Sequence, residues 1–370
     1  MKNISSHLVL LLACVVAFAS SSALACTSWM IFSDLTKNGT HILHKNRDSI
    51  ARKIVVTLSP ENAPRKWIVL GSGDANSGIN SSGVAVCMNS GEKCIDPPKT
   101  KGRKSTPRIA RVLLESSDTA AQAVETLKKL IEEGDYWHGS SGSIFLIMDA
   151  KEGYVCETTA TICSVQRYDH GYTVRASNWQ NPDMYEHSRN TIEIYLKARA
   201  RTYCAFTGLN RILDQHGKIT VPDILTFARD TTIPEKSPMK RSHCGMTTNS
   251  SSCIEIDKQY PGLLSTAYVT IGHPRHTVFL PLPVCTEKLL PSMHKLDWSK
   301  KAFQRLDEKG LNAPLPPEWL QFEARSIEQY EKTKTTARKL LDEGKRDEAV
   351  RLLNLEAEKI WKEATSLLKI

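Results

Sequence analysis

The front of the chain carries the first chemical signal. Ser22-Ala23-Leu24-Ala25 reads as an A-x-A signal-cleavage site, and cleavage after Ala25 makes Cys26 the first residue of the mature protein. A terminal cysteine joins nucleophile and base on one residue. Its α-amino group titrates near neutrality and can take the thiol proton, and the thiolate can then attack a carbonyl. Two other readings of position 26 stand beside this one. Lipidation of the thiol, as in bacterial lipoproteins, usually calls for Leu three residues earlier, where this chain has Ala23. Cleavage a residue or two away would leave Cys26 as a disulfide partner.

Further along, the chemistry-bearing residues fall in short groups. Lys45-Asn46-Arg47-Asp48 follows Cys26 by about twenty residues, and taken alone it reads as a solvated turn. Asn89 and Asn178 sit at expected strand ends, where asparagine is commonly a turn residue. Arg241-Ser242-His243 is a late polar group; the histidine is read as structural or exposed. There is no His-x-x-His, Cys-x-x-Cys or carboxylate cluster with metal spacing, so no cofactor is implied. Setting aside Cys14 and Cys26 leaves eight cysteines, an even number. Cys87 with Cys94, Cys156 with Cys163 and Cys244 with Cys253 are close enough for hairpin staples, which leaves Cys204 with Cys285; eight cysteines allow 105 pairings.

These groups need elements to position them. Apolar runs at 29–32 and 41–44 flank a turn at Lys37-Asn38-Gly39 and predict strand, turn, strand. Runs at 54–58, 67–70 and 84–88 predict more strands. Two amphipathic helices follow, one opening at Thr106-Pro107 and one at the capping pattern of Thr119 to Gln122, stopped by Gly134. Strands return at 143–148, 153–157, 163–167 and 172–176, then helices around 189–196 and 222–229. Stretches 251–257, 267–271 and 277–280 predict closing strands. Strands, a helical layer, more strands and a second helical layer suggest sheets stacked between helices. Beyond Pro314, Pro316 and Pro317, Ile327 to Leu341 and Ala349 to Leu368 form a charged helical hairpin. Its apolar stripes pack on each other and on the main domain, or form a homo-oligomer contact.

Composition excludes rather than identifies. With 370 residues, 41% hydrophobic and 24% charged, the chain is not disordered, collagen-like or coiled-coil. The net charge of +9 is scattered, and its densest run, 99–111, lacks interleaved aromatics, so no nucleic-acid partner is expected. The apolar run 8–18 is a signal core too short to span a bilayer, and no later run reaches eighteen apolar residues, so no membrane span is expected. The expectation is a secreted or periplasmic protein, with lipid anchoring as the alternative. Its parts are a signal at 1–25, a main domain at 26–295 and a helical extension at 296–370. Asn38, Asn80 and Asn249 head N-x-Ser/Thr sequons.

Cys26-Thr27-Ser28, Lys45-Asn46-Arg47-Asp48, Gly78-Ile79-Asn80 with Gly83, Cys87-Met88-Asn89, Ser177-Asn178 and Arg241 occur in an order that resembles the N-terminal-nucleophile (Ntn) cysteine hydrolases. The similar groups are the linear amide C–N hydrolases: choloylglycine and penicillin V hydrolases, isopenicillin N acyltransferases and cysteine dipeptidases. The resemblance covers residues 26 to 285 and leaves the C-terminal helices uncovered. It implies an α+β, four-layer αββα sandwich, here with a C-terminal helical hairpin. It implies a hydrolase or acyltransferase that cleaves a small-molecule linear amide through a thioester. Cys26 matches the nucleophile and Asp48 the aspartate that holds the terminal amine. Asn178 and Asn89 match the oxyanion donors, and Arg241 an arginine behind the nucleophile. Lys45 stands where the family usually has arginine; it keeps the charge and loses the guanidinium fork. Arg47 is expected on the opposite face. A non-catalytic binding protein on the same fold is the rival reading.

Overall fold

The structure, a computed structural model, describes residues 26–98 and 102–370. The segment read as a signal, with Cys14, lies outside the described residues. Six strands form one antiparallel sheet in the order β10-β1-β2-β11-β12-β13: β1 (Thr27–Ile31), β2 (His41–Asp48), β10 (Tyr172–Arg175), β11 (Thr248–Ile256), β12 (Thr266–Thr270) and β13 (Leu280–Pro283). Seven form a second, in sequence order: β3 (Val55–Leu58), β4 (Trp67–Gly71), β5 (Ser77–Asn80), β6 (Ala85–Lys93), β7 (Ser141–Met148), β8 (Gly153–Thr158) and β9 (Cys163–Tyr168). The chain is therefore mixed α and β with two antiparallel sheets.

The near-continuous apolar strands have a simple cause: both faces are covered. In β7, Phe145 and Ile147 join a core with Val69, Val86 and Met88 and with the apolar faces of α1 (Thr106–Ser116) and α2 (Ala120–Glu132). Ile144 and Leu146 alternate to the other side and join a core with Met30 and Leu43 of the six-stranded sheet. Each such side chain, fully buried, contributes roughly 1.5–3 kcal/mol. α3 (Ile192–His216) and α4 (Val221–Phe227) add Ala205, Leu209, Ile224 and Phe227 to that second core. Gly208 lets the two helices close, since a Cβ there would lie 2.1 Å from the Phe227 ring.

The C-terminal chain is built into the same core. After α5 (Pro291–His294) and α6 (Asp297–Lys309), α7 (Pro317–Asp342) and α8 (Arg346–Leu367) pack along each other through Tyr330, Ala337, Leu353 and Trp361. Trp361 Nε1 donates to Pro281 O at 2.8 Å, and Lys334 Nζ meets Glu255 Oε2 at 2.5 Å. Arg229 forks onto Glu323 at 2.7 and 2.5 Å, both side chains being buried. The apolar stripes are thus covered within the chain.

Several expectations change. The helix expected around 189–196 runs to His216, because its charged residues hide the apolar stripe and nothing breaks it before the left-handed Gly217. The last strand begins at Leu280 rather than Thr277, since the Phe279 amide donates to Glu323 instead of a neighbouring strand. The disulfide pairings fail: Cys87, Cys156, Cys163, Cys204, Cys244, Cys253 and Cys285 are free thiols. Cys87 and Cys94 are seven residues apart along one extended run, roughly 23 Å. Cys156 faces Val165 while Cys163 faces Thr158, so the two are diagonal neighbours whose thiols meet without a disulfide. Cys204 donates to Arg241 O on the β10 side, whereas Cys285 donates to Leu263 O beyond the β13 edge. Of the three sequons only Asn38 is exposed; Asn80 and Asn249 are buried, their amides donating to Leu114 O, Ser117 O and Ala51 O.

Candidate active site

Cys26 enters β1, a central strand flanked by β10 and β2. Ser28 pairs with Arg175 on one side and Lys45 on the other. Carrying that antiparallel register back two residues sets Cys26 across from Ser177 and Arg47. The thiol is buried at the mouth of the strand. Strand period two puts Cys26, Ser28, Lys45 and Arg47 on one face. The expectation that Arg47 points away from Lys45 is therefore corrected, since residues two apart share a face. Arg47 Nη1 donates to Ser72 Oγ at 2.8 Å. Burial lowers its pKa, and the Cys26 charge works against that.

The opposite face of β2 carries Asn46 and Asp48. Asn46 Nδ2 donates to Ala228 O and His243 O at 2.8 and 3.1 Å, so it anchors two loops. Asp48 accepts from Thr248 Oγ1 at 2.7 Å. Burial pushes its carboxyl up to about 6, against the pull of Arg201, the Thr248 hydroxyl, Lys45 and Arg241. Asp48 lies one residue beyond the point facing Cys26, where the backbone nitrogen of Cys26 enters the sheet. An ionised carboxylate there can hold an ammonium.

The two asparagines differ in what they can offer. Asn178 follows the cross-strand neighbour of Cys26. Its carbonyl accepts from Thr202 Oγ1 at 3.2 Å, and its amide nitrogen makes only a 3.4 Å contact to Trp179 O. The loop carrying it is pinned by two buried carboxylates: Trp179 N donates to Glu92, and the Gln180 and Asn181 amides donate to Glu157. Trp179 fits against Gly142, where a Cβ would come within 2.6 Å of the indole. Asn178 therefore holds a rigid, nearly unspent donor. Asn89 does not. Its Oδ1 accepts from Ser28 and Lys45, both at 2.8 Å, and its Nδ2 donates to Arg175 O at 3.1 Å. Its side chain is spent stitching the two sheets together.

Lys45 is 2% exposed, and its ammonium is held by Asn89 Oδ1 and Met88 O. Arg241 is exposed; its carbonyl accepts from Cys204, its amide donates to Met239 O, and its charge acts on Asp48 and Arg201. The buried arginine is Arg201 on α3, which the sequence reading missed. It sits on the stripe Ala198, Arg201, Ala205, Leu209, and a charge on an apolar helical stripe was the available signal. Burial lowers its pKa; the charges of Asp48 and Cys26 oppose that. His243 is buried and bonded to Phe227 O at 2.7 Å, in line with its structural reading.

Among the described residues no group of three or more His, Cys, Asp or Glu could hold a metal ion, and no helix is long and apolar enough to cross a membrane. Two open clefts, of about 610 and 490 Å³, are lined around Arg103, Lys104 and Arg108 and around Arg52 and Phe303. Neither is lined by the residues described above.

No protein-family description and no curated protein matches the chain. Among solved structures it is similar to two mutant forms of conjugated bile acid hydrolase from Clostridium perfringens. Identity is 12% in each, over 74% of this chain and 94% of theirs, with TM-scores of 0.48 and 0.44. It is also similar to penicillin V acylase from Agrobacterium tumefaciens, at 12% identity over 70% of this chain and 86% of that one, with a TM-score of 0.42. Likeness at this level carries no weight for function.

Proposed function

We propose that the chain is a secreted or periplasmic amide hydrolase or acyltransferase of the Ntn cysteine type. In this reading the two sheets are the middle layers of an αββα sandwich at 26–295, and the helices of 296–370 brace one flank. Signal removal after Ala25 frees the α-amino group of Cys26. That amine takes the thiol proton, and the sulfur attacks the carbonyl carbon of a small-molecule linear amide. The tetrahedral oxyanion accepts from Asn178 Nδ2; one such donor is worth about 2.7–4 kcal/mol of barrier. As the C–N bond breaks, the ammonium of Cys26 returns its proton to the leaving amine. Water, or an acceptor amine, then releases the acyl group from the thioester. Asp48 holds the ammonium. Lys45 and Asn89 lock the sheets behind the thiol.

The observation that carries this reading is the strand register, which brings the Cys26 end of β1 between Ser177-Asn178 and Arg47-Asp48. The test is the intact mass and terminal sequence of the exported protein, followed by a chromogenic amide panel with Cys26→Ala as control. A mature start at Cys26 with Cys26-dependent cleavage is expected. A start elsewhere, a diacylglyceryl adduct on the thiol, or cleavage that persists in Cys26→Ala overturns it.

A further inference from the structure

The carboxamide of Asn178 has an oxygen at one end and an NH2 at the other, and the two ends are nearly alike in size and shape. Which end is free decides whether the group can donate. Two neighbours set the sense of this buried amide. Thr202 Oγ1, on α3, donates to Asn178 Oδ1 at 3.2 Å. Trp179 O lies 3.4 Å from Nδ2, and a carbonyl only accepts, so the end beside it must be the nitrogen.

That carbonyl is itself held. It shares a peptide plane with Gln180 N, and no peptide bond among the described residues is cis. In a trans peptide the C=O and N–H point opposite ways. Gln180 N donates to both oxygens of Glu157, at 2.9 and 3.0 Å, which turns the Trp179 carbonyl away from Glu157. The peptide before it is fixed by Glu92, whose Oε1 accepts from Trp179 N at 3.1 Å and whose Oε2 accepts from Ser188 Oγ. Glu92 is buried with no cation partner among the described residues. Burying a carboxylate in that way is costly, and what it holds is the peptide beside Asn178. Thr202 is different, because its helix does not need the Asn178 bond. A helical threonine is satisfied by the carbonyl four residues back, and Thr202 has that partner in Ala198 O at 3.3 Å.

We infer that Thr202 is a positioning residue: its hydroxyl fixes the Asn178 carboxamide with Nδ2 as the unspent end, while Glu92 and Glu157 hold the backbone on which that amide sits. The catalytic meaning rests on the proposed function, in which Asn178 Nδ2 meets the oxyanion. The mount itself can be read without turnover.

The test uses the protein beginning at Cys26. Thr202→Val keeps the shape and branching of the side chain and removes the hydroxyl; Thr202→Ser keeps the hydroxyl. In Thr202→Val, kcat for a cleaved amide is expected to fall roughly tenfold with KM within about twofold, the worth of one hydrogen bond that acts on the transition state alone. Thr202→Ser restores kcat to within about twofold of the parent. In an Asn178→Ala background, Thr202→Val has no further effect, because it acts only through that amide. The second arm needs no turnover. The side-chain NH2 signal of Asn178 in heteronuclear NMR spectra, assigned by its loss in Asn178→Ala, shifts or broadens in Thr202→Val and keeps its place in Thr202→Ser. Thr207→Val, the same change on the same helix at a hydroxyl with no partner among the described residues, alters neither readout. An unmoved NH2 signal in Thr202→Val overturns the inference. So does an unchanged kcat, a rise in KM alone, which would mark Thr202 as a substrate contact, or an equal loss with and without Asn178. If no amide is cleaved while the signal responds to Thr202, the amidase reading falls and the mount stands.

Discussion

Replacing Asp48 by Asn should stabilise one form of this protein and disable the other. In a chain that retains residues ahead of Cys26, burial raises the Asp48 carboxyl from 3.8 to about 6. The folded state then holds a proton that the unfolded state has released, so stability falls as pH rises from about 4 to 6 and stays low above that. The shift of about 2 units corresponds to roughly 3 kcal/mol at pH 8. Asn keeps an oxygen for Thr248 Oγ1 and carries no charge, so Asp48→Asn should recover most of that sum. For about 345 residues this is a rise of roughly 4 °C in Tm at pH 8, and almost none at pH 4, where wild-type Asp48 is already protonated. In the chain that begins at Cys26, a terminal ammonium faces the same carboxylate. The ion pair offsets the burial, so Asp48→Asn should give no gain, or a loss, and should cut amide cleavage by at least about 100-fold. Calorimetry on both forms at both pH values, alongside the amide assay, decides it. Equal stabilisation of the two forms would refute the placement of Asp48 at the amine, and a gain of the same size at pH 4 would refute the burial argument.

Other changes separate chemistry from scaffold. Asn178→Ala should lower kcat by about 10²–10³ with little change in melting temperature, because it removes a donor that the fold does not use. Asn89→Ala should do the reverse, costing about 2–4 kcal/mol as Lys45, Ser28 and the Arg175 carbonyl lose their shared partner; denaturant melts check this. Glu323→Gln should cost about 3–5 kcal/mol by leaving Arg229 buried and unpaired, and a loss under 1 kcal/mol would show that the C-terminal helices are not integral to the core. Thiol titration of the unreduced, denatured chain beginning at Cys26 should find the eight thiols Cys26, Cys87, Cys156, Cys163, Cys204, Cys244, Cys253 and Cys285 reactive.

Much of this was legible from local pattern. Apolar runs bounded by turn residues placed β1, β2, β4, β6 and β7, and the Thr-Pro and Thr-x-x-Gln starts placed α1 and α2. Such features depend on neighbours within a few residues. Cys26 and Asp48 were singled out the same way, by a cleavage pattern and a short motif. What failed to read locally was any property set by a partner far along the chain. Cysteine spacing suggested staples, but extended strands carry Cys87 and Cys94 apart. Asn89 and Asn178 looked alike in sequence. They differ because Ser28, Lys45 and Arg175 converge on one amide while the other is touched only by Thr202 and its own neighbour.

The two arginines make the same point. Arg241 stood in a promising segment and lies in solvent, whereas Arg201 looked like one more charge on a helix and is buried beside the strand end. The sequence by itself determined the strand and helix types and marked Cys26 as a candidate nucleophile, because these follow from periodicity and short motifs. The tertiary structure alone decided which polar groups remain unspent around that cysteine, because a donor is free or committed only once sheet register and helix packing have chosen its neighbours.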